Sequence, residues 1–460
     1  MGVFDEPGRF LSGSTMGHVV RMTLTATVGF VFIFAVDAVN LYWLSQSGET
    51  DLVAAAGFAM AVQVISLAAG ISMMVASTAL VSRAIGAGRA ELARRQTTSG
   101  AILAVLTLAP LALALIVFRH PILSFLGAQD NVADLAARYL LMSQTSLAVI
   151  GAAMVINGAI RAQGDARRSV AVTMAGGLMS LIFGYLLISV AGWGLDGAAI
   201  TVIIASFANL LLAFRIARKH HDLLARPRLA DIRETLNPFM QIALPAMLAQ
   251  MSRPFGIVVL LIIVAPYGAE AVAGWSVLSR VVLVAFGGLL ALGAAIGGIF
   301  GQTFGAGQFD RVRSTFRDAT IFSIIYVLVV WALLYLLTEP IIAAFDVKGV
   351  GADIIRTFTT YGAGGFLFLA GFFVATSTFN VLGRPRWSTA FNWVQEGLLT
   401  WPAGMIMTAS LGAVGVVYSQ MLVGCLVGSV AWVVGLRYVR SLNAETAPDL
   451  DKTPAPAPAE

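Results

Sequence analysis

Long apolar stretches, separated by short polar connections, repeat along the whole chain. Each holds about 20 residues or more, the length that a helix needs to cross the ~30 Å hydrocarbon layer of a membrane. The pattern therefore predicts an all-α integral membrane protein with twelve transmembrane helices. The predicted spans are 17–44, 52–82, 96–118, 132–160, 168–191, 195–216, 238–265, 270–302, 316–338, 352–381, 387–408 and 411–436.

The polar connections alternate in charge. Those after odd-numbered spans hold few basic residues, such as Arg119 and Lys348, whereas those after even-numbered spans are rich in arginine. Because Lys and Arg accumulate in cytoplasmic loops, the even-numbered connections and both termini are predicted to be cytoplasmic. The basic residues concerned are Arg83, Arg89, Arg94, Arg95, Arg161, Arg167, Arg168, Arg311, Arg313, Arg317, Arg384 and Arg386.

The two halves of the chain repeat each other at a spacing of 219 residues. The Gly-Ala-Gly sequence at 86–88 recurs at 305–307, and Pro121 recurs as Pro340. Six spans per half is an even number, so both halves enter the membrane the same way round. A pseudo-two-fold axis along the membrane normal then relates two six-helix bundles, with a binding cavity expected between them.

The repeat and the polar stretches divide the chain into four parts. Residues 1–220 are predicted to form the N-terminal six-helix bundle and 237–440 the C-terminal one. Between them, 221–236 form a cytoplasmic linker. Residues 441–460 are rich in Ala, Pro and acidic residues. This composition cannot bury a core and predicts a disordered cytoplasmic tail.

Composition excludes several classes of protein. Hydrophobic residues make up 58% of the 460 positions and charged residues 12%, about half the charged fraction of a soluble domain. The net charge of +5 is spread over short loops, which argues against nucleic-acid binding. Cys425 is the single cysteine, so no disulfide framework is expected. No phosphate-binding loop or metal-ligand spacing occurs, so neither an enzyme nor a metal or cofactor site is predicted.

Four ionisable side chains stand out because they lie well inside the predicted spans, where each costs about 2.5–3.5 kcal/mol on insertion scales and so needs a reason. They are Asp37, Arg253, Arg280 and Glu396. Arg280 and Glu396 both lie near the middle of second-half spans. We expect them to form a structural ion pair within that half.

Five short motifs, in order along residues 15–440, resemble those of the multidrug and toxic compound extrusion (MATE) transporters. They are Val36-Asp37 and the segments 82–88, 157–165, 301–307 and 380–385. The resemblance implies two six-helix bundles in a V shape that work by alternating access. It also implies export of organic, often cationic or amphipathic, compounds in exchange for inward H⁺ or Na⁺.

Asp37 matches the acidic residue of the first helix through which that family couples cation entry to export. A carboxylate in an apolar bundle can take up and release protons near neutral pH. Asn40 lies three residues further on, on the same helix face, and is placed to hydrogen-bond Asp37. The alternative is a carboxylate tied permanently to helix-packing partners.

Departures from the family favour H⁺ over Na⁺ as the coupling ion. Sodium-coupled and some archaeal members are similar in carrying an Asn and an Asp on the fifth helix, where this chain has Met179 and Phe183. Other members of the family carry a glutamate on the seventh helix, where this chain has Arg253. A hard cation needs several oxygen ligands, and those acids are missing. A Na⁺-coupled antiporter and an exporter resembling lipid-linked oligosaccharide flippases remain the alternatives.

Arg253 belongs to the second half but lies at the same predicted depth as Asp37. It is therefore expected either to contact Asp37 across the cleft or to attract an anionic substrate group. Gln250, Asn157 and Trp275 are further candidates for the cavity. The expected setting is a monomer in a bacterial inner membrane, with lipid and a small-molecule substrate as its partners.

Overall fold

The computed structural model describes residues 8–46 and 50–443, and the regular secondary structure in them is helical. Helices α1 to α6 form the N-lobe and α7 to α12 the C-lobe. Their bounds are Thr15–Ser45 (α1), Thr50–Gly86 (α2), Ala90–Val117 (α3), Asp130–Ala162 (α4), Ala166–Val190 (α5), Gly194–Lys219 (α6), Leu229–Tyr267 (α7), Ala269–Gly305 (α8), Phe309–Leu336 (α9), 349–381 (α10), 385–411 (α11) and Gly415–Ser441 (α12).

The described part of the chain contains eleven apolar helical stretches long enough to cross a membrane, and the last of them holds two spans. That stretch, Pro385–Ser441, has 57 residues, which would be roughly 85 Å of continuous helix. The chain instead reverses at Gly412, whose φ of 68° lies in the left-handed region that favours glycine. The prediction of twelve transmembrane helices is confirmed.

The two lobes repeat each other helix by helix. Thr50–Gly86 and Ala269–Gly305 begin and end 219 residues apart, and so do the short helices Arg119–Phe125 and Thr338–Ala344 that precede α4 and α10. The register shifts only near the ends of the lobes, where α5 and α11 each contain a π-helical turn, Tyr185–Val190 and Val394–Leu399. The structure thus confirms the two-lobe fold.

Residues 220–228 connect the lobes, and α7 begins at Leu229, inside the predicted linker 221–236. Thr98 of α3 fastens this connection, since its hydroxyl donates to the Ala225 carbonyl (3.2 Å) and accepts from the Ala225 amide (2.9 Å). Of the predicted tail 441–460, all but the first three residues lie outside the described part of the chain.

Both ends of the described helical bundle lie on one face. Thr15 at the start of α1 hydrogen-bonds Asp318 in α9, and Arg313 near the start of α9 donates to the carbonyl of Leu442, just after α12 (2.8 Å). We call this the basic face, because it carries the arginine-rich connections at 83–95, 161–168, 311–317 and 384–386.

Asp165 caps α5 at the basic face. Its carboxylate accepts hydrogen bonds from the backbone amide (3.1 Å) and the guanidinium (2.7 Å) of Arg168, and His221 Nε2 lies 3.2 Å from Oδ2. The hydrogen bond from His221, together with those from Arg168, holds the pKa of Asp165 below its usual range. The cap therefore ties the connection between the lobes to the N-lobe.

Replacing Asp165 with Ala is expected to lower the free energy of unfolding at pH 7 by about 1–2 kcal/mol, the usual effect of losing a helix cap. Because its folded-state pKa is depressed, the contribution of Asp165 is present above the ordinary carboxyl pKa and is lost as the pH falls through the folded value. Thermal unfolding in detergent measures the difference. Asp310→Ala, which removes an exposed ion pair on the same face, is the control. Equal melting temperatures for the two variants would contradict this account.

Candidate transport site between the lobes

Three glycines let the lobes meet at the basic face. A Cβ atom at Gly86 would lie 2.0 Å from the carbonyl oxygen of Gln302, and one at Gly305 would lie 2.1 Å from that of Arg83. Gly301 approaches Ser82 as closely, since its Cβ would lie 1.7 Å from the hydroxyl. Positions 83 and 86 repeat as 302 and 305, so the same contact is made twice about the pseudo-two-fold axis.

We call this contact between residues 82–86 and 301–305 the seam. Hydrogen bonds from Arg83 and Gln302, which are repeat counterparts, reinforce it. Arg83 in α2 donates to the carbonyl of Val381 in α10, with its Nε atom at 2.7 Å. Gln302 in α8 donates to the carbonyl of Ala162 in α4 at 2.6 Å. Each lobe therefore extends one long side chain to a helix end of the other.

Residues 8–14 lie across the seam ahead of α1. Phe10 is 1% exposed, and its backbone amide donates to Gln302 Oε1 at 3.0 Å. Arg311 of the C-lobe donates to the carbonyls of Phe10 (2.7 Å), Ser12 (3.1 Å) and Gly13 (3.0 Å). The N-terminal segment thus seals the seam from the basic face.

Polar contacts between the lobes are found at the basic face. Within residues 8–46 and 50–443, the hydrogen bonds found between the lobes join residues at the basic-face ends of their helices. Those found near the other face, such as Arg138 with Asp196 (2.5 Å) and Arg356 with Glu339 (2.7 Å), lie within one lobe. The structure is therefore closed at the basic face.

In the N-lobe, Asp37 is an exposed carboxylate on α1, within electrostatic reach of the Tyr139 hydroxyl on α4. That hydroxyl accepts a hydrogen bond from Gln63 of α2 at 2.9 Å. One turn further along α2, Ser66 donates to Gln144 at 2.8 Å, and both of these side chains are buried. Among the described residues Asp37 forms no ion pair, and the interaction found for its carboxylate is the one with Tyr139.

Asn40 has a different partner from the one predicted. Its amide nitrogen donates to the Ser180 hydroxyl on α5 at 2.8 Å instead of to Asp37, and its amide oxygen packs against Gly184, one turn further along α5. Asn40 therefore holds α1 against α5. This leaves the Asp37 carboxylate without the expected hydrogen bond from α1.

In the C-lobe, the predicted pair of Arg280 and Glu396 is wrong. Glu396 instead interacts electrostatically with Arg253, and its carboxylate lies against Gly256 of α7, where a Cβ atom would come within 1.9 Å of Oε2. Gln395 donates to the other carboxylate oxygen at 3.1 Å. Arg280 is exposed on α8.

The predicted bridge from Arg253 to Asp37 does not form among the described residues. Arg253 lies over the ring of Phe373, 5.9 Å from its centroid, and its electrostatic partner Glu396 belongs to its own lobe. Gly256 is the repeat counterpart of Asp37, 219 residues on. Each lobe therefore has a carboxylate at equivalent depth, supplied by α1 in the N-lobe and by α11 in the C-lobe.

The other residues predicted to line the cavity lie in different parts of the structure. Gln250 is half-buried on α7. Trp275, at 6% exposure, belongs to the core of the C-lobe, and Asn157, at 7%, is buried near the seam at the basic end of α4. Tyr139, Gln63 and Phe10 were not singled out from the sequence. For Gln302 a signal existed, since it falls in the repeated motif at 301–307.

Comparisons with known proteins agree with this architecture. The MatE family model matches residues 23–186 and 245–406. A curated relative, the FAD transporter of Shewanella oneidensis, is 24% identical over 96% of this chain and 99% of its own length. The multidrug export protein MepA of Staphylococcus aureus is 24% identical over 90% of this chain and 92% of its own. The crystal structure of a variant of the Vibrio cholerae MATE transporter VcmN superimposes with a TM-score of 0.88 at 23% identity, covering 93% and 98% of the two chains.

Proposed function

We propose, from the premise that this chain belongs to the MatE family, that it exports organic compounds in exchange for protons that enter the cell. Family membership makes the protein a multi-pass membrane transporter of small molecules and not an enzyme. The observation that carries the proposal is the exposed carboxylate of Asp37 in a structure whose two lobes are in contact at the basic face. We place the protein in the inner membrane of a bacterium, as a monomer with both termini cytoplasmic.

The basic face is cytoplasmic in this proposal, because arginine-rich connections stay on that side. The cleft then faces outward, and Asp37 takes up a proton from outside. A neutral carboxyl group is far cheaper to enclose than a charged one, so protonation favours closure of the outer side. When the basic face opens, Asp37 releases its proton to the cytoplasm and its negative charge is available to the next cationic substrate.

Protons suit the surroundings of Asp37 better than Na⁺ does. Sodium needs about five or six oxygen ligands, and Met179 and Phe183 on α5 stand at the positions where the family resemblance expects an Asn and an Asp in sodium-coupled members. Asn40, a possible ligand, is bonded to Ser180. No group of three His, Cys, Asp or Glu side chains comes together for a metal ion in the part of the chain that the structure describes.

Everted membrane vesicles test the coupling ion. With a pH gradient established by respiration, adding a transported organic cation such as ethidium is expected to dissipate the gradient in vesicles that contain the protein. Vesicles without the protein are the control. If Na⁺ alone, with no organic substrate, dissipated the gradient, or if export followed an imposed Na⁺ gradient at constant pH, the proton proposal would fail.

A second candidate substrate class is an anionic aromatic compound of the flavin nucleotide type. The relative from Shewanella oneidensis is a FAD transporter, and it matches this chain over nearly its whole length. Arg253, which lies over Phe373, offers a cation beside an aromatic ring. Such a pair suits a phosphate joined to a flat ring system.

The effect of Arg253→Gln on export separates the two substrate classes. If FAD is a substrate, Arg253→Gln is expected to lower FAD export at least about tenfold, the effect of losing one charge-assisted contact, while export of ethidium changes less than twofold. Lys348→Gln, which removes a basic residue from the loop before α10, is the matched control. Loss of both substrates in Arg253→Gln, at normal protein levels, would assign Arg253 to the structure of the C-lobe instead.

A further inference from the structure

A long apolar groove runs down the C-lobe between α11 and α12, outside the transport cleft. Its volume is about 530 Å³, within the usual range for small-molecule pockets. Trp387, Phe391 and Val394 line one wall, and Leu426, Val430 and Val434 line the other. From Trp387 to Leu399 the groove follows α11 for roughly 18 Å, about the depth of one leaflet.

The groove opens away from the N-lobe. Behind the groove-lining residue Phe391 lies α10, whose Phe379 ring stacks on the Phe391 ring with the centroids 5.9 Å apart. On its other side α10 packs against α8, the helix that carries the seam glycines, for example through the Ser377 hydroxyl, which donates to the Gly293 carbonyl at 2.7 Å. The exposed side chains of the groove, including Leu426 (56%) and Val430 (47%), therefore face the membrane.

The π-helical turn Val394–Leu399 shapes the groove at its deep end. A π turn inserts an extra residue and locally widens and displaces the helix. Both ends of this turn, Val394 and Leu399, line the groove, and α11 contacts α12 closely only beyond it, in the segment Thr400–Leu411. The basic-face half of α11 consequently stands apart from α12.

The mouth of the groove at the basic face is positively charged. Arg384 lies over Trp387, 5.5 Å from the ring centroid, and Tyr438 packs on the other side of the mouth, 5.9 Å from Trp387. Arg437 follows Val430 and Val434 on one face of α12, because residues three and four apart share a helix face. Both arginines are exposed, and neither forms an ion pair within the described residues.

We propose that this groove binds a phospholipid with a net negative headgroup, from the leaflet at the basic face. One acyl chain lies along the apolar walls, and the phosphate contacts Arg384 and Arg437, whose geometry suits phosphate oxygens. Basic pockets between transmembrane helices on the cytoplasmic side are suited to anionic headgroups. The inference does not rest on which compound or ion the protein transports.

Native mass spectrometry of the full chain, purified in detergent and freed of lipid, tests the proposal. Titration with phosphatidylglycerol and with phosphatidylethanolamine of the same acyl chains measures the headgroup preference. Since each arginine near the surface strengthens binding of an anionic headgroup about fivefold, the wild-type protein is expected to favour phosphatidylglycerol by roughly 25-fold. The double variant Arg384→Gln/Arg437→Gln is expected to lose that preference.

Two matched controls keep the test specific to the groove. Arg167→Gln/Arg218→Gln removes two exposed charges from the basic face of the N-lobe and is expected to keep the wild-type preference. Ala390 also lines the groove. Ala390→Trp fills the groove and is expected to weaken binding of both lipids at least about fivefold, whereas Val329→Trp, on the exposed face of α9, is not. Equal binding of the two lipids by the wild-type protein, loss of preference in both double variants, or unchanged binding in Ala390→Trp would each overturn the proposal.

Discussion

Asp37→Asn is expected to abolish proton-driven accumulation of substrate. A pH difference of one unit across the membrane supplies about 1.36 kcal/mol for each proton that crosses. This is enough to sustain a tenfold substrate gradient in a one-for-one exchange. Asparagine has a similar shape but cannot take up a proton, so this driving force cannot be transmitted. Substrate in everted vesicles should then only equilibrate across the membrane, whereas the wild-type protein concentrates it about tenfold for each pH unit.

Two further variants make the Asp37 result interpretable. Asp37→Glu retains a titratable carboxyl group and is expected to recover part of the accumulation. Asp134→Asn removes an exposed carboxylate from the start of α4 and should behave as wild type. Normal accumulation by Asp37→Asn would show that another group, such as Glu396, carries the proton.

Gly86→Val and Gly305→Val are expected to prevent the lobes from closing at the basic face. Even a Cβ atom at these positions would lie 2.0 and 2.1 Å from backbone oxygens of the other lobe, which cannot move aside as flexible side chains do. Overpacking of this kind costs typically 1–3 kcal/mol, enough to shift a two-state equilibrium about 5- to 150-fold. Export should fall by a similar factor.

Spin labels at Arg218→Cys and Arg440→Cys, in a Cys425→Ser background, report the separation of the lobes at the basic face. Both glycine variants should lengthen the inter-label distance. Gly57→Val in α2 and Gly293→Val in α8 are matched controls, since a Cβ atom at either position meets nothing within 4 Å. An unchanged distance in Gly86→Val and Gly305→Val would mean that these contacts do not hold the lobes together.

Much of the fold could be predicted from the sequence because lipid imposes a simple rule. Every backbone polar group in the hydrocarbon layer must be satisfied within the helix, so span length and apolar character identify the helices directly. The 219-residue repeat carried further information. It related Gly86 to Gly305, and the structure places both at the crossing of the lobes.

The site was less predictable, since side-chain partners depend on helix rotation as well as depth. Glu396 lies within the π-helical turn Val394–Leu399, where the usual 3.6-residue periodicity fails, and its electrostatic neighbour is Arg253 instead of Arg280. Trp275 belongs to an apolar core that sequence spacing does not distinguish from a cavity wall. Phe10 precedes the first helix, where hydropathy gives no sign of burial.

The pH dependence of the outer opening tests the role of Asp37 most directly. Spin labels at Gln129→Cys and Lys348→Cys, repeat-related exposed positions on the two lobes, measure that opening in lipid nanodiscs. In the wild-type protein, lowering the pH should shift the distances toward a closed outer side, because a protonated Asp37 can be enclosed. In Asp37→Asn the distances should stay at the low-pH distribution at every pH. A variant whose distances shift with the same midpoint and amplitude as wild type would contradict the account.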